Sequence, residues 1–204
     1  MSINRLPLLG VLVSFALFAW ATSYYPGGYD WANHFISTLF APETAAGDVN
    51  EARPFAVAAM FVFCVSVAAL FVVLSRRASR RVHRKTMEIG GIGSMVYAFL
   101  VVTPMHDLLV GIALLFFIPA MCAAIHQVYA ERHFALFWVG LLCLGLLLAC
   151  ATMYYGNMLW HLLPLAQKAT FVACVSWLLT MELVTDATRR GNHSCPERVQ
   201  PARP

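Results

Sequence analysis

Three of the chain's seven histidines, His34, His106 and His161, fall in short polar stretches between long apolar runs. Each stretch carries other groups able to bind or react. Asp30, Asn33 and Ser37 surround the first histidine, Asp107 adjoins the second, and Tyr154, Tyr155, Gln167 and Lys168 flank the third. Asn50 and Arg53 close the first stretch. Three neutral imidazoles at one level could hold a zinc ion with water in the fourth position. The metal would lower that water's pKa to about 7, and Asp30 or Asp107 would orient a ligand or take the proton. Such a centre would suit hydrolysis of a lipid ester or amide near a membrane surface. No H-x-x-x-H or H-E-x-x-H pair occurs, so this grouping of His34, His106 and His161 rests on shared depth alone.

Two simpler readings compete with the metal. In one, the cluster is a pocket for a lipid headgroup: Lys168 and Arg53 meet phosphate and tyrosines form the walls. Asn33, Ser37, Asn50, His106, Asp107, His161 and Gln167 then supply hydrogen bonds. In the other, the same side chains tie loops to helix ends, and amphipathic His and Tyr sit where apolar and polar surroundings meet. Ser37 lies three residues from His34 and could be drawn as a nucleophile. The strained G-x-S-x-G turn of serine hydrolases is absent, which favours local hydrogen bonding instead.

Spacing gives two expectations about geometry. Asp30, Asn33, His34 and Ser37 recur at three and four residues, so a short interfacial helix would put them on one face. His106 and Asp107 are adjacent, are not expected to face each other within a helix, and would each turn toward the first loop.

The elements that must position these groups follow from composition. Hydrophobic residues make up 60% of the 204, charged residues 12%, and the mean hydropathy is +0.70. A soluble domain has roughly 25% charged residues, so the solvent for most of this chain is lipid. A helix across the hydrocarbon core needs about 20 mostly apolar residues. Six segments qualify: Leu6 to Tyr24, Phe55 to Ser75, Met87 to Thr103, Leu108 to Tyr129, Phe134 to Met153 and Leu165 to Thr185. The runs are continuous rather than alternating, which argues against a β-barrel. Gly90, Gly91, Gly93 and Ser94 give the third segment the small-residue pattern of closely packed membrane helices. Ala19-Trp20-Ala21 loosely fits a signal-peptidase site, but the length of the apolar run favours an uncleaved first helix.

Orientation follows from the positive-inside rule. Arg76, Arg77, Arg80, Arg81, Arg84 and Lys85 crowd the link between the second and third segments. Arg5, Arg132, Arg189 and Arg190 fall on the same side, while Asp30, Glu43, Asp48 and Glu51 lie opposite with only Arg53 and Lys168 as bases. Both termini are therefore expected in the cytoplasm, with residues 1–190 as the membrane domain and 191–204 as a disordered tail. The net charge of +4 needs no nucleic-acid partner, and membrane lipids are the expected one. Five cysteines lie in apolar runs and no C-x-x-C pair occurs, so no redox or zinc-knuckle motif is present. Glu88 and Glu182 lie near the basic side and are expected to pair with arginine. Haem ligation would need a partner for His126, and transport would need a charge at mid-depth beside Pro119. The sequence suggests neither.

Several short motifs resemble one family. Asn33-His34-Phe35-Ile36-Ser37-Thr38-Leu39 is similar to the N-Y-I-S-D-L-G signature of the bacterial membrane family called "domain of unknown function 998". Asn50 resembles its loop asparagine, His106-Asp107 its H-D pair, and Gln167-Lys168 with Trp177 its Q-R opening of the last helix. Thr38 stands where the family tends to have Asp, Phe40 where it has Gly, and His34 where an aromatic is usual. Asp30, one turn earlier, could compensate for the missing carboxylate. The resemblance implies a six-helix bundle in a bacterial inner membrane. It also implies a relation to eukaryotic proteins of the FGF-receptor-activating/DRAM/Sfk type, associated with lipid work, without identifying a reaction.

Overall fold

The computed structural model describes residues 6–193, with side chains through 187. Among the described residues the structure is all-α, apart from a short 3-10 turn and one isolated bridge between Glu43 and Val49. Six helices follow in order: α1 (Leu6–Thr22), α2 (Arg53–Ser75), α3 (Arg81–Leu100), α4 (His106–Ala130), α5 (Phe134–Tyr155) and α6 (Leu163–His193). The 3-10 turn, Ile36–Phe40, lies in the long α1–α2 connection. α3 starts six residues before the expected span, because Arg81, Arg84 and Lys85 are good helix formers and extend it into the basic link. α6 likewise runs on to His193, so the first residues of the expected tail are helical. Residues 194–204 lie outside the described part.

By length and composition α2, α4, α5 and residues 163–187 of α6 can cross a membrane. α1 has 17 residues, and α3 has four charged residues in its first eight. The helix faces match a lipid solvent. Leu12, Leu115, Trp138 and Leu142 stand outward, each more than half exposed, and α5 buries only Gly140 and Cys143. In water such faces would be large apolar patches; in hydrocarbon they meet a solvent of their own kind.

Small residues set the helix spacing. α1 buries Val11, Ser14, Phe18 and Ala21, a three-and-four stripe directed at α2. A Cβ on Gly10 would lie 2.0 Å from Ser66 Oγ. α3 fits between α2 and α4 through the glycines noted above: a Cβ on Gly91 would lie 2.3 Å from Phe71, and one on Gly90 2.7 Å from the Phe116 carbonyl oxygen. α5 and α6 pair where Trp177, buried, donates its indole N–H to Leu136 O at 2.7 Å and lies over Gly140. α6 then returns to the first helices through Phe171, whose ring meets Phe15 and Phe63 at 5.7 and 4.6 Å.

The end carrying the basic link is fastened by a buried ion pair. Arg77, just beyond α2, binds Glu182 of α6 at 2.6 Å and also bonds the Glu182 carbonyl and the Thr185 hydroxyl. Glu182 thus pairs with arginine as its position suggests. At the same end His126 has a neighbour that sequence reasoning did not foresee: its ring stacks edge-on against His83 of α3 at 4.3 Å.

Candidate functional site

The polar stretches named above meet at the opposite end, but in an arrangement different from the expected one. The α1–α2 connection does not form a helix over residues 30–37. Asp30 instead builds a tight turn: its carboxylate accepts from the backbone N–H of Ala32 and Asn33 and from the Asn33 side chain, at 2.8, 3.2 and 2.8 Å. Aspartate offers its own side chain in place of helical bonding, which makes it a turn former rather than a helix former here. The Asn33 amide and these backbone donors hold the exposed Asp30 carboxyl below its ordinary range. The His34 ring lies against Tyr25 and Tyr29, at 5.3 and 5.5 Å, and its Nδ1 receives the Asp30 N–H. Burial, then Tyr25 and Asp30, push the Tyr29 phenol up to about 12.

Asn50 is the brace of this connection. It is buried, and its side-chain amide donates to the carbonyls of Thr38, Leu39 and Ala41 while its oxygen accepts from Ala52 N–H. Arg53 Nε donates to Phe40 O at 3.0 Å. Lys168 reaches from α6 to the His34 and Pro164 carbonyls and lies 5.6 Å from the centre of the Tyr29 ring. The Asn50 amide, Arg53 Nε and Lys168 Nζ thus donate to backbone carbonyls of the loop and of α6. Ser37 is half-buried and makes no side-chain hydrogen bond among the described residues.

The second constellation joins α4 to α5. His106 Nδ1 lies 3.1 Å from Asp107 Oδ1, so the adjacent pair does face itself. The expectation failed because these are the first two residues of α4, where the side chains are not confined by a preceding turn. Asp107 turns toward α5 rather than the first loop. Its carboxylate accepts from the Tyr154 hydroxyl, and its backbone carbonyl accepts from the Tyr155 hydroxyl at 3.2 Å. Trp160, in the α5–α6 link, stacks on Tyr154 at 5.8 Å and meets Phe35 of the first loop at 5.7 Å. Leu159 beside it has φ +49°, a left-handed conformation costly for leucine that is retained where the link turns. His161 is exposed in that link.

Between α2, α3 and α4 on one side and α5 and α6 on the other lies a cavity of about 300 Å³. Its deeper wall is apolar, with Phe63, Val67, Phe117, Leu147 and Leu178 among its residues. The hydroxyls of Ser94 and Thr170 on that wall are occupied, by Gly91 O and by Cys150 Sγ respectively. Polar groups gather at one end: His106, Tyr154, Tyr155 and Gln167, beside Phe35. Gln167 Oε1 accepts the Ile36 N–H at 3.4 Å, which links this rim to the first loop.

Of the residues singled out from sequence, His106, Tyr154, Tyr155 and Gln167 line the cavity, and Asp107 touches it through His106 and Tyr154. Asp30, Asn33, Ser37, Asn50, Arg53, His161 and Lys168 are not among its lining residues. Among the described residues no group of three or more His, Cys, Asp and Glu side chains is placed to hold a metal ion. His34 sits against tyrosines, His106 is tied to Asp107, and His161 stands apart in its link, so the shared zinc site of His34, His106 and His161 does not form. The cavity itself was invisible in sequence, because its wall residues look like any helix-packing face. Tyr154 and Tyr155 were visible in the sequence as polar groups of the third connection, but their bonds to Asp107 were not. Comparison with known proteins finds no matching family model, no matching curated protein and no matching solved structure.

Proposed function

We propose that this chain is a six-span protein of a bacterial inner membrane, both termini cytoplasmic, that takes the acyl chain of a membrane amphiphile into its interhelical cavity. In this reading α1 and α3 also span: 17 residues is at the lower limit of a crossing helix, and the charged residues of α3 lie in its first turns, where they reach the interface. The basic link faces the cytoplasm and the cavity rim faces outward. The resemblance to the family called "domain of unknown function 998" is carried forward as part of the same proposal.

The observation that supports the reading is the division of the cavity into an apolar wall and a polar rim. About 300 Å³ lies at the lower end of the range of small-molecule pockets, roughly 300–1,000 Å³. An apolar wall whose two hydroxyls are already paired suits a hydrocarbon chain better than a polar group. His106, Tyr154 and Gln167 then meet the polar end of the same molecule. Neither Lys168 nor Arg53 lines the cavity, so a headgroup at this rim is met by the hydrogen-bonding groups of His106, Tyr154 and Gln167.

The test is the lipid content of the purified protein. Native mass spectrometry from mild detergent should find about one single-chain amphiphile per protein. Ala113→Phe, which fills the cavity from α4, should remove it while leaving the helical circular dichroism unchanged. Equal occupancy in both forms would refute the cavity as the binding place.

A further inference from the structure

We propose that His106 and Asp107 form a general-base pair that hydrolyses the ester linking the acyl chain of the bound amphiphile to its head. The proposal rests on the cavity reading above and adds a reaction to it. A carboxylate accepting from Nδ1–H fixes the imidazole tautomer that leaves a lone pair on Nε2. Asp107 stands 3.1 Å from His106 Nδ1, and the His106 side chain lines the cavity rim. The same carboxylate oxygen, Oδ1, also accepts from the Tyr154 hydroxyl, while the Tyr155 hydroxyl donates to the Asp107 carbonyl and ties the start of α4 to the end of α5. The first turn of a helix also favours a negative charge there. These contacts orient a base at the cavity rim.

Position selects the bond. In a long-chain ester the carbonyl marks the boundary between hydrocarbon and head. The rim is the boundary between the apolar wall and the polar end of the cavity. A chain seated in the wall therefore brings its carbonyl to the level of His106. Gln167 is at the same rim with Oε1 occupied by Ile36 N–H, which leaves its amide N–H groups to donate to the carbonyl oxygen. Water is at hand, because the Asp107 side chain is 75% exposed.

The step uses water alone as co-reactant. His106 Nε2 takes a proton from water as the water oxygen bonds to the ester carbonyl carbon, and Gln167 donates to the developing oxyanion. The tetrahedral adduct then breaks its C–O bond to the head. The imidazolium returns the proton to the departing oxygen, giving a fatty acid and an alcohol. Asp107 is a positioning residue, Tyr154 holds it, and no serine or cysteine nucleophile is required.

The experiment uses the full chain in detergent micelles with monooleoylglycerol as substrate and its ether analogue, which cannot be hydrolysed, as the binding probe. Wild type should release oleate carrying one oxygen from labelled water, at a rate that rises with pH and levels off as general-base catalysis requires. His106→Gln should still bind the ether analogue, whose chain is held by the apolar wall, and lose turnover by about 10²–10⁴-fold, far more than any loss of binding. Asp107→Asn should lower kcat with KM little changed and alter the pH profile. Binding of the ether analogue without oleate release by wild type would overturn the hydrolysis and leave the cavity reading standing. Release that His106→Gln does not diminish would overturn it too. Failure of wild type to bind the ether analogue would remove the cavity reading and the hydrolysis together.

Discussion

Gly91→Ala is the substitution that most directly tests how this bundle is packed. The added methyl would lie 2.3 Å from Phe71 Cγ and 2.4 Å from its Cβ, where contacting carbons prefer 3.5–4.0 Å. Phe71 is wholly buried and meets Phe117 of the cavity wall at 5.9 Å, so it has little room to retreat. Overpacking of this kind costs about 1–3 kcal/mol. The better helix propensity of alanine returns up to about 1 kcal/mol. With the full propensity gain returned the net loss is about 0–2 kcal/mol, a fall in Tm of up to roughly 8 °C for a chain of this size, while the difference from an alanine that meets no clash stays at about 1–3 kcal/mol. Gly145→Ala is the matched control: nothing lies within 4 Å of its added methyl, so only the propensity gain applies. Thermal unfolding of both variants in one detergent should move them in opposite directions, or leave Gly145→Ala unchanged. If Gly91→Ala proves as stable as Gly145→Ala, α3 is not wedged between α2 and α4 as described. Gly91→Ala should also weaken amphiphile binding, because the displaced Phe71 presses on Phe117.

Other expectations concern the first loop and the topology. Asn50→Ala orphans the carbonyls of Leu39 and Ala41 and the Ala52 N–H, and leaves the Thr38 carbonyl with the Ala41 N–H alone, for a loss of about 1–3 kcal/mol in chemical unfolding. Asn50→Asp should lose a similar amount, because a carboxylate cannot donate to three carbonyls; stability equal to wild type would contradict the bracing role. The pH dependence has two ends. Asp30, depressed below 3.8, contributes stability above that value that is lost as pH falls through its lowered pKa. Tyr29, raised from 10.0 to about 12, contributes stability below 10 that is lost as pH rises through about 12. Unfolding midpoints of Tyr29→Phe against wild type should converge at the alkaline end, and parallel curves would argue against a buried phenol. For topology, Ala45→Cys and Arg80→Cys, both at exposed positions, report the two ends of the bundle in a cysteine-free background. A membrane-impermeant maleimide should label Ala45→Cys on intact cells and Arg80→Cys only after lysis; the reverse pattern would invert the proposed orientation.

The amino-acid sequence by itself determined the solvent and the elements. Runs of about twenty apolar residues can satisfy their backbone in lipid only as helices. The six helices are accordingly legible between Leu6 and Thr185, though α3 begins six residues earlier than its apolar run and α6 ends eight later, and the glycines of α3 announced its close packing. The sequence also determined that His106, Gln167 and the tyrosines of the α5 end sit at helix ends on one side. It did not determine which of them meet. Asp107 and Tyr154 are 47 residues apart, Ile36 and Gln167 131, and His34 and Lys168 134. Such contacts depend on how the helices are arranged laterally, about which hydropathy along the chain is silent. Only the tertiary structure separated His34 and His161 from His106, turned Asn50 from a candidate ligand into a brace, and left a cavity between α2–α4 and α5–α6. The physical reason is that burial in lipid fixes depth residue by residue, whereas side-chain packing between helices fixes lateral position, and that packing is a property of pairs.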